Sequence, residues 1–410
     1  MLANVLPSDK WYLSLLHGIA QHVPPLQDWL GRKADGFENE AIAAYEQGDL
    51  ERAAAKYRRA IDWQPANIVY RNNLGQIYEE MGKLDQAELT FHLALLMDYQ
   101  DRRSLKGLGV VLQQQGKFAD AMYYYLRFIE LEPKDGDVCY NLCVVFYELG
   151  QYDEAVTWSE RAIEVTPSDL LVLRMRAQSL AAVGRLDETR AVLDRAAELW
   201  PDDPEIDNLL GLTLDLQGQP EASLKAFQEA SRKDPGNAEI RLQIARLSAL
   251  VGNHEAAEKE ARHAVTLFSQ AGDAQGSAAA YWELGWSHYN LGNMEASLQA
   301  SSEALRFDPL LTPVYFNMGL ALLRLGRVEE AREQYVKGLT KLSEVSELKT
   351  HAIDDLHKAL ERQPDLAGAG PILQMLEEVY DAASRDVADA VRPAVSAAAD
   401  PALATATQGA

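Results

Sequence analysis

Cysteine is almost missing from this 410-residue chain: Cys139 and Cys143 are the only two. They cannot build a disulfide framework or a multi-cysteine zinc ribbon, and such sparing use fits a reducing, cytoplasmic setting. Positive charge is also short. The 39 Lys and Arg residues face 62 Asp and Glu, a net charge of -23, which argues against sequence-independent nucleic-acid binding and against attraction to anionic membranes. No stretch reaches the roughly 18 to 20 apolar residues that span a bilayer. The apolar stretch Trp11 to Ala20 lacks a small-residue cleavage signature, is interrupted by His17 and soon meets Gln21 and His22, so no signal peptide is expected. Phosphate-loop (G-x-x-x-x-G-K-S/T), H-E-x-x-H and G-x-S-x-G motifs are absent, which leaves catalysis without support. The eight histidines are scattered without metal-ligand spacing, and no metal or other cofactor is expected.

What is present is the balance of a folded protein, 47% hydrophobic and 25% charged, together with a fixed period. Glycines stand at 48, 82, 116, 150, 184, 218 and 252, spaced by 34; Gly292 comes six residues late, and Gly326 is again 34 on. Each follows one helical pattern and precedes another whose first turn is acidic, as in GDLERA, GKLDQA, GQYDEA and GRVEEA. The unit is helix, tight turn, helix.

Other columns align on this glycine. Seven residues before it all residues are small: Ala41, Gly75, Gly109, Cys143, Ala177, Gly211, Ala245, Gly285 and Gly319. Five after it stand Ala53, Ala87, Ala121, Ala155, Thr189, Ser223, Ala257, Ser297 and Ala331, so paired helices approach closely. Nine after it Tyr57, Phe91, Tyr125, Leu193, Phe227 and Tyr335 supply bulk, while Ser159, Ala261 and Ser301 depart. Prolines 65, 133, 167, 201, 235 and 309 end second helices.

These columns resemble the tetratricopeptide repeat family over about Ala34 to Val345, in nine units. The resemblance implies an all-α, right-handed superhelical solenoid whose first helices line a concave face. On this reading, residues 1–33 are N-terminal capping helices, 34–271 are repeats one to seven, 272–277 (GDAQGS) are an insertion, and 278–345 are repeats eight and nine. Residues 346–386 are C-terminal capping helices and 387–410 a disordered Ala-rich tail. The insertion reads as a flexible joint or an elongated turn. Ser8 can cap a first helix carrying Trp11, Tyr12, Leu15, Leu16 and Ile19 on one side, before Pro24 and Pro25 interrupt it. Pro371 to Asp386 reads as a final amphipathic helix.

Cys139 and Cys143 share a helix face, which invites a metal or redox reading. A structural reading accounts for more: Phe128 occupies a column that holds Ala in seven repeats and Gly in one, and a small cysteine nearby makes room for it.

The resemblance makes the first-helix face the ligand surface. Its column nine residues before each glycine reads Asn39, Asn73, Gly107, Asn141, Met175, Leu209, Gln243, Glu283 and Asn317; asparagine there can bond a peptide backbone. Arg103, Lys106 and Arg174 form a basic cluster suited to an acidic segment. The match to the family's carboxylate clamp is partial, because Val110, Leu171 and Met175 replace polar or basic groups. Trp282, Trp286 and Tyr289 follow i, i+4, i+7 spacing, and Phe316 occupies the next repeat's matching column. Four such rings make a patch that something should cover: a partner, a second copy, or the chain's own C-terminal region. The expected function is a non-catalytic scaffold or adaptor holding an extended segment of another protein. Self-association as a structural or assembly factor, at a membrane surface or elsewhere, and a role as regulatory subunit of a separate enzyme stay open.

Overall fold

The computed structural model describes residues 10–342 and 344–398, without the side chains of Lys10, Trp11, Tyr12, Leu15 and 385–398. The cap read at Ser8 and the last part of the tail, 399–410, lie outside the described residues. The chain divides into two compact units, Met1–Pro201 and Asp202–Ala410.

The first unit begins with α1 (Lys10–Ala20). Five hairpins follow: α2 (Pro24–Glu46) with α3 (Leu50–Trp63), α4 (Ile68–Glu80) with α5 (Leu84–Leu95), α6 (Arg102–Gln114) with α7 (Phe118–Leu131), α8 (Gly136–Glu148) with α9 (Tyr152–Val165), and α10 (Leu170–Ala182) with α11 (Leu186–Leu199). The second unit has four: α12 (Pro204–Leu216) with α13 (Pro220–Lys233), α14 (Ala238–Leu250) with α15 (His254–Ala271), α16 (Ala274–Asn290) with α17 (Met294–Phe307), and α18 (Thr312–Arg324) with α19 (Val328–Lys341). It ends with α20 (Val345–Leu348), one π-helical turn (Lys349–Ile353), α21 (Asp354–Arg362) and α22 (Ala369–Ala398).

Local chemistry explains the period. Asn67, Asp101, Asp135, Asp169, Asp203 and Asn237 each accept a backbone N–H two or three residues on, capping a first helix. The nine hairpin glycines hold φ between +68° and +85°, and no atom lies within 4 Å of where their Cβ would be. Backbone conformation alone therefore demands glycine there.

The small column before each turn has a definite partner, the bulky column nine residues after it. A Cβ at Gly75, Gly109, Gly211 or Gly319 would come within 2.8, 2.3, 2.8 or 2.5 Å of the rings of Phe91, Tyr125, Phe227 and Tyr335. Where Ser159 and Ala261 replace the ring, the first helix carries Cys143 and Ala245. Ala41 with Tyr57 and Gly285 with Ser301 depart from this rule. Cys143 is thus a volume match: it is buried, its Sγ lies 3.6 Å from Ser179 Oγ, and burial pushes the thiol up to about 11. Such a thiol resists forming the thiolate that metals and oxidants require. Cys139 and Phe128 are buried in the same core.

Three boundaries differ from expectation. The insertion is neither joint nor elongated turn: α15 and α16 lengthen to 18 and 17 residues, and only Gly272 and Asp273 separate them. Gly272 adopts φ +71°, Asp273 accepts the Gly276 N–H at 2.9 Å, and the missing Cβ of Gly276 admits the Phe268 ring. At the front, α2 runs unbroken through the expected boundary at residue 33, with Ala34 and Ala41 buried on one stripe. At the end, α22 continues past Asp386 to Ala398, so the 387–398 part of the expected tail is helical. No helix among the described residues is long and apolar enough to cross a membrane.

Candidate functional site

In the first unit the asparagine column lies on the first helices, with Asn73 and Asn141 beside Tyr57 and Tyr125 of the preceding second helices. Asn39 is exposed and Asn73 half-buried. Asn73 Nδ2 donates to Tyr57 Oη at 3.0 Å, and its Oδ1 accepts from Arg103 Nη2 at 2.8 Å. Asn73 and Tyr57, with Ile42, Tyr45, Gln76 and Ile77, line a recess of about 210 Å³. Gly107 interrupts the column because the Phe91 ring occupies the position of its Cβ. Asn141 lines a further recess of about 450 Å³ with Gln113, Tyr125 and Glu148.

The basic cluster is less available than its charge suggests. Lys106 Nζ lies 3.2 Å from Asp135 and 2.9 Å from Asp137. Burial alone would lower its pKa; hydrogen bonds to Asp137 and Asp135 outweigh that and hold the ammonium above its usual range. Lys106 is therefore corrected from a cation awaiting an acidic partner to one already met within the chain. Arg103 is joined to Asn73, and Arg174 is half-buried on α10, where its charge bears on Tyr140.

The aromatic cluster of the second unit divides. Phe316 is fully buried against Tyr335, ring centroids 6.0 Å apart, in space left by Gly338, whose Cβ would stand 2.4 Å from the Phe316 ring. Tyr289 is buried and stacked on Trp286 at 5.4 Å. These two are corrected from surface candidates to core residues. The one Gly in the alanine column, Gly338, was the sequence signal for a ring entering from a first helix. Trp282 and Trp286 stay half-buried and accessible.

What covers them is the chain's own C-terminal region. Leu348, Ala352, Ile353, Leu356, Leu366, Ile372 and Leu376 share one core with Phe316, Leu320 and Tyr335, and Trp286 packs against it. His351, in the π-helical turn, meets Trp282 edge-on at 5.7 Å. Between this segment and the first helices a cavity of about 510 Å³ remains. Arg246 of α14, His254 of α15, Glu283 and Trp286 of α16 and Asn317 of α18 line it together with His351, Asp355, Lys358 and Arg362 of the C-terminal segment.

Glu283 was overlooked as a site residue, although it stands in the asparagine column. Burial pushes its carboxyl up to about 7, partly offset by Arg246. Asn317 is buried and lines the same cavity. Among the described residues, no group of three or more His, Cys, Asp or Glu side chains could hold a metal.

Stacked helical hairpins with recesses along their first helices define a repeat protein built for contact with other chains. Tetratricopeptide repeat profiles match residues 41–82, 72–137, 112–179, 174–238, 216–265, 278–309 and 312–340, and the chain belongs to that family. The family's fold implies a protein–protein interaction scaffold. A Methanocaldococcus jannaschii protein described as uncharacterized is 33% identical over 75 residues, covering 18% of this chain and 87% of that protein. A tetratricopeptide repeat protein from Parabacteroides merdae shares the fold at 16% identity and a TM-score of 0.50, over 61% of this chain and 99% of its own. YrrB, described as a TPR protein with an unusual peptide-binding site, aligns at 22% identity and a TM-score of 0.42, over 45% of this chain and 94% of its own.

Proposed function

We propose that this protein is a non-catalytic scaffold that holds an extended segment of a partner protein against its first helices. One observation carries the reading: in three separate hairpins the same polar column, at Asn73, Asn141 and Asn317, lines a recess. Amide side chains repeated at one position offer donors and acceptors to a backbone whatever its side chains. Two buried, unpaired thiols fit work in the cytoplasm. The test is partner capture by the whole chain and by the double variant Asn73→Ala, Asn141→Ala, with helicity checked by circular dichroism. Capture should fall about tenfold or more, since lost hydrogen bonds cost roughly 0.5–1.5 kcal/mol each; equal capture at equal helicity removes the asparagine column from the function.

Self-association is favoured by a different observation. On the second-helix side of the first unit, Leu89 and Leu93 of α5 are exposed, Leu96 beyond its end is 82% exposed, and Tyr99 is 66% exposed. Leu89, Leu93 and Leu96 share one helix stripe by their spacing. A concentration-dependent mass in light scattering that Leu89→Glu with Leu96→Glu abolishes would support this reading, and a constant monomer mass would end it.

A further inference from the structure

We infer that the cavity of the second unit takes the guanidinium group of an arginine in the partner's segment, seated against Glu283 beside Trp282 and Trp286. This rests on the first-helix faces being the binding surface, and it names the side chain one of them selects.

The acids in the cavity lie deeper than Lys358 and Arg362, while Arg246, His254 and His351 are half-buried like Glu283. Asp355 is only 10% exposed and Glu283 is half-buried, whereas Lys358 is 62% exposed and Arg362 is at the solvent. Each permanent cation is also answered. Arg246 pairs with Asp215 at 2.6 Å, Lys358 with Asp355 at 2.9 Å, and Arg362 donates to Asn290 Oδ1 at 3.3 Å. The Glu283 carboxyl has no hydrogen bond or ion pair among the described residues; only its backbone carbonyl is used, by Ser287 Oγ. The raised pKa of this carboxyl is the mark of desolvation without a donor. A ligand that brings donors restores what burial took away.

Guanidinium fits best among biological cations. It presents paired N–H donors to a carboxylate, lies flat on aromatic faces and sheds water more readily than an ammonium. The cavity volume of about 510 Å³ is within the range of ligand pockets. Residues 1–9 and 399–410 cannot fill the role, because they hold no Lys or Arg.

Acid should weaken the site. Glu283 becomes neutral as pH falls through about 7. The other charged or titratable groups lining the cavity are Arg246 and His254 from α14 and α15 and His351, Asp355, Lys358 and Arg362 from the C-terminal segment.

The test uses the full chain labelled with fluorotryptophan, the Trp282 and Trp286 resonances being assigned from Trp282→Phe and Trp286→Phe. Titration with N-acetyl-argininamide should shift both saturably, with a Kd on the order of 1–10 mM at pH 8. N-acetyl-lysinamide should bind more weakly and N-acetyl-glutamate not at all. Affinity should fall about thirtyfold at pH 5.5, and Glu283→Gln should abolish the response while the other five tryptophan resonances stay in place. Absence of saturation up to about 50 mM, a response to N-acetyl-glutamate instead, or undiminished binding by Glu283→Gln overturns the inference. A dimer that argininamide dissociates would make a second copy the source and overturn the partner assignment. Should argininamide fail while capture still depends on Asn73 and Asn141, this inference alone falls; should capture ignore those residues, the reading beneath it falls.

Discussion

The first helices of the two units build their inner faces from the same columns and reach opposite electrostatic outcomes. In the first unit the cations find partners in their own chain, Arg103 in Asn73 and Lys106 in Asp135 and Asp137. In the second, the Glu283 carboxyl makes no hydrogen bond or ion pair among the described residues and feels only the charge of Arg246, and a C-terminal helical segment walls it in. A charge is available for binding only after the chain's own claims on it are settled, so formal charge alone misplaces the site. The net charge of -23 illustrates this: twelve of the acids occupy the first turn of a second helix, where the helix dipole favours them.

The comparison can be broken most forcefully by removing the wall. Ending the chain after Leu342 takes Leu348, Ile353, Leu356, Leu366, Ile372 and Leu376 out of the second unit's core. At about 1.5–3 kcal/mol for each fully buried large aliphatic side chain, the loss is on the order of 10 kcal/mol. Hydrogen exchange should show protection collapsing in α16–α19 while α2–α11 change by less than about tenfold. Equal loss in both units would mean that they do not stand apart.

Next in size is Glu283→Gln. The folded carboxyl is raised from 4.5 to about 7, so the stability it contributes is fully present below the unfolded pKa and is lost as pH rises through the folded one. The glutamine variant should exceed the parent by about 1–3 kcal/mol at pH 8 and lose that advantage by about pH 4.5, in urea melts. A difference that ignores pH would show that Glu283 is not desolvated.

Smaller effects sharpen the first unit. Asp135 caps α8 through the Val138 N–H at 2.9 Å and also holds Lys106. Asp135→Ala should cost about 1–2 kcal/mol. Asp137, 81% exposed, should cost less than about 0.5 kcal/mol when replaced by alanine. Equal costs would show that Lys106 is not anchored at the helix cap.

Much of this was written in the period. The turn glycines, the small columns, the bulky column and the prolines each appeared once per 34 residues, so one physical demand left nine copies of its signal. The rule that glycine lies under a ring and a larger residue under a small one was also present, as Gly109 with Tyr125 and Cys143 with Ser159, but two columns had to be known as neighbours before it could be read. Contacts between residues 282 and 351 have no such repetition. They join a repeat to a segment outside the array, so covering of Trp282 by the C-terminal region stood as one option among three. Glu283 was visible in its column and passed over because asparagine was the residue sought there.

The central claim is that partners meet the first helices. Photo-crosslinking tests it most directly, with benzoylphenylalanine placed in turn at Arg103, Trp282, Leu89 and Leu96 of the full chain. Adducts to another protein should form from Arg103 and Trp282 and not from Leu89 or Leu96. Adducts confined to Leu89 and Leu96 would contradict the account.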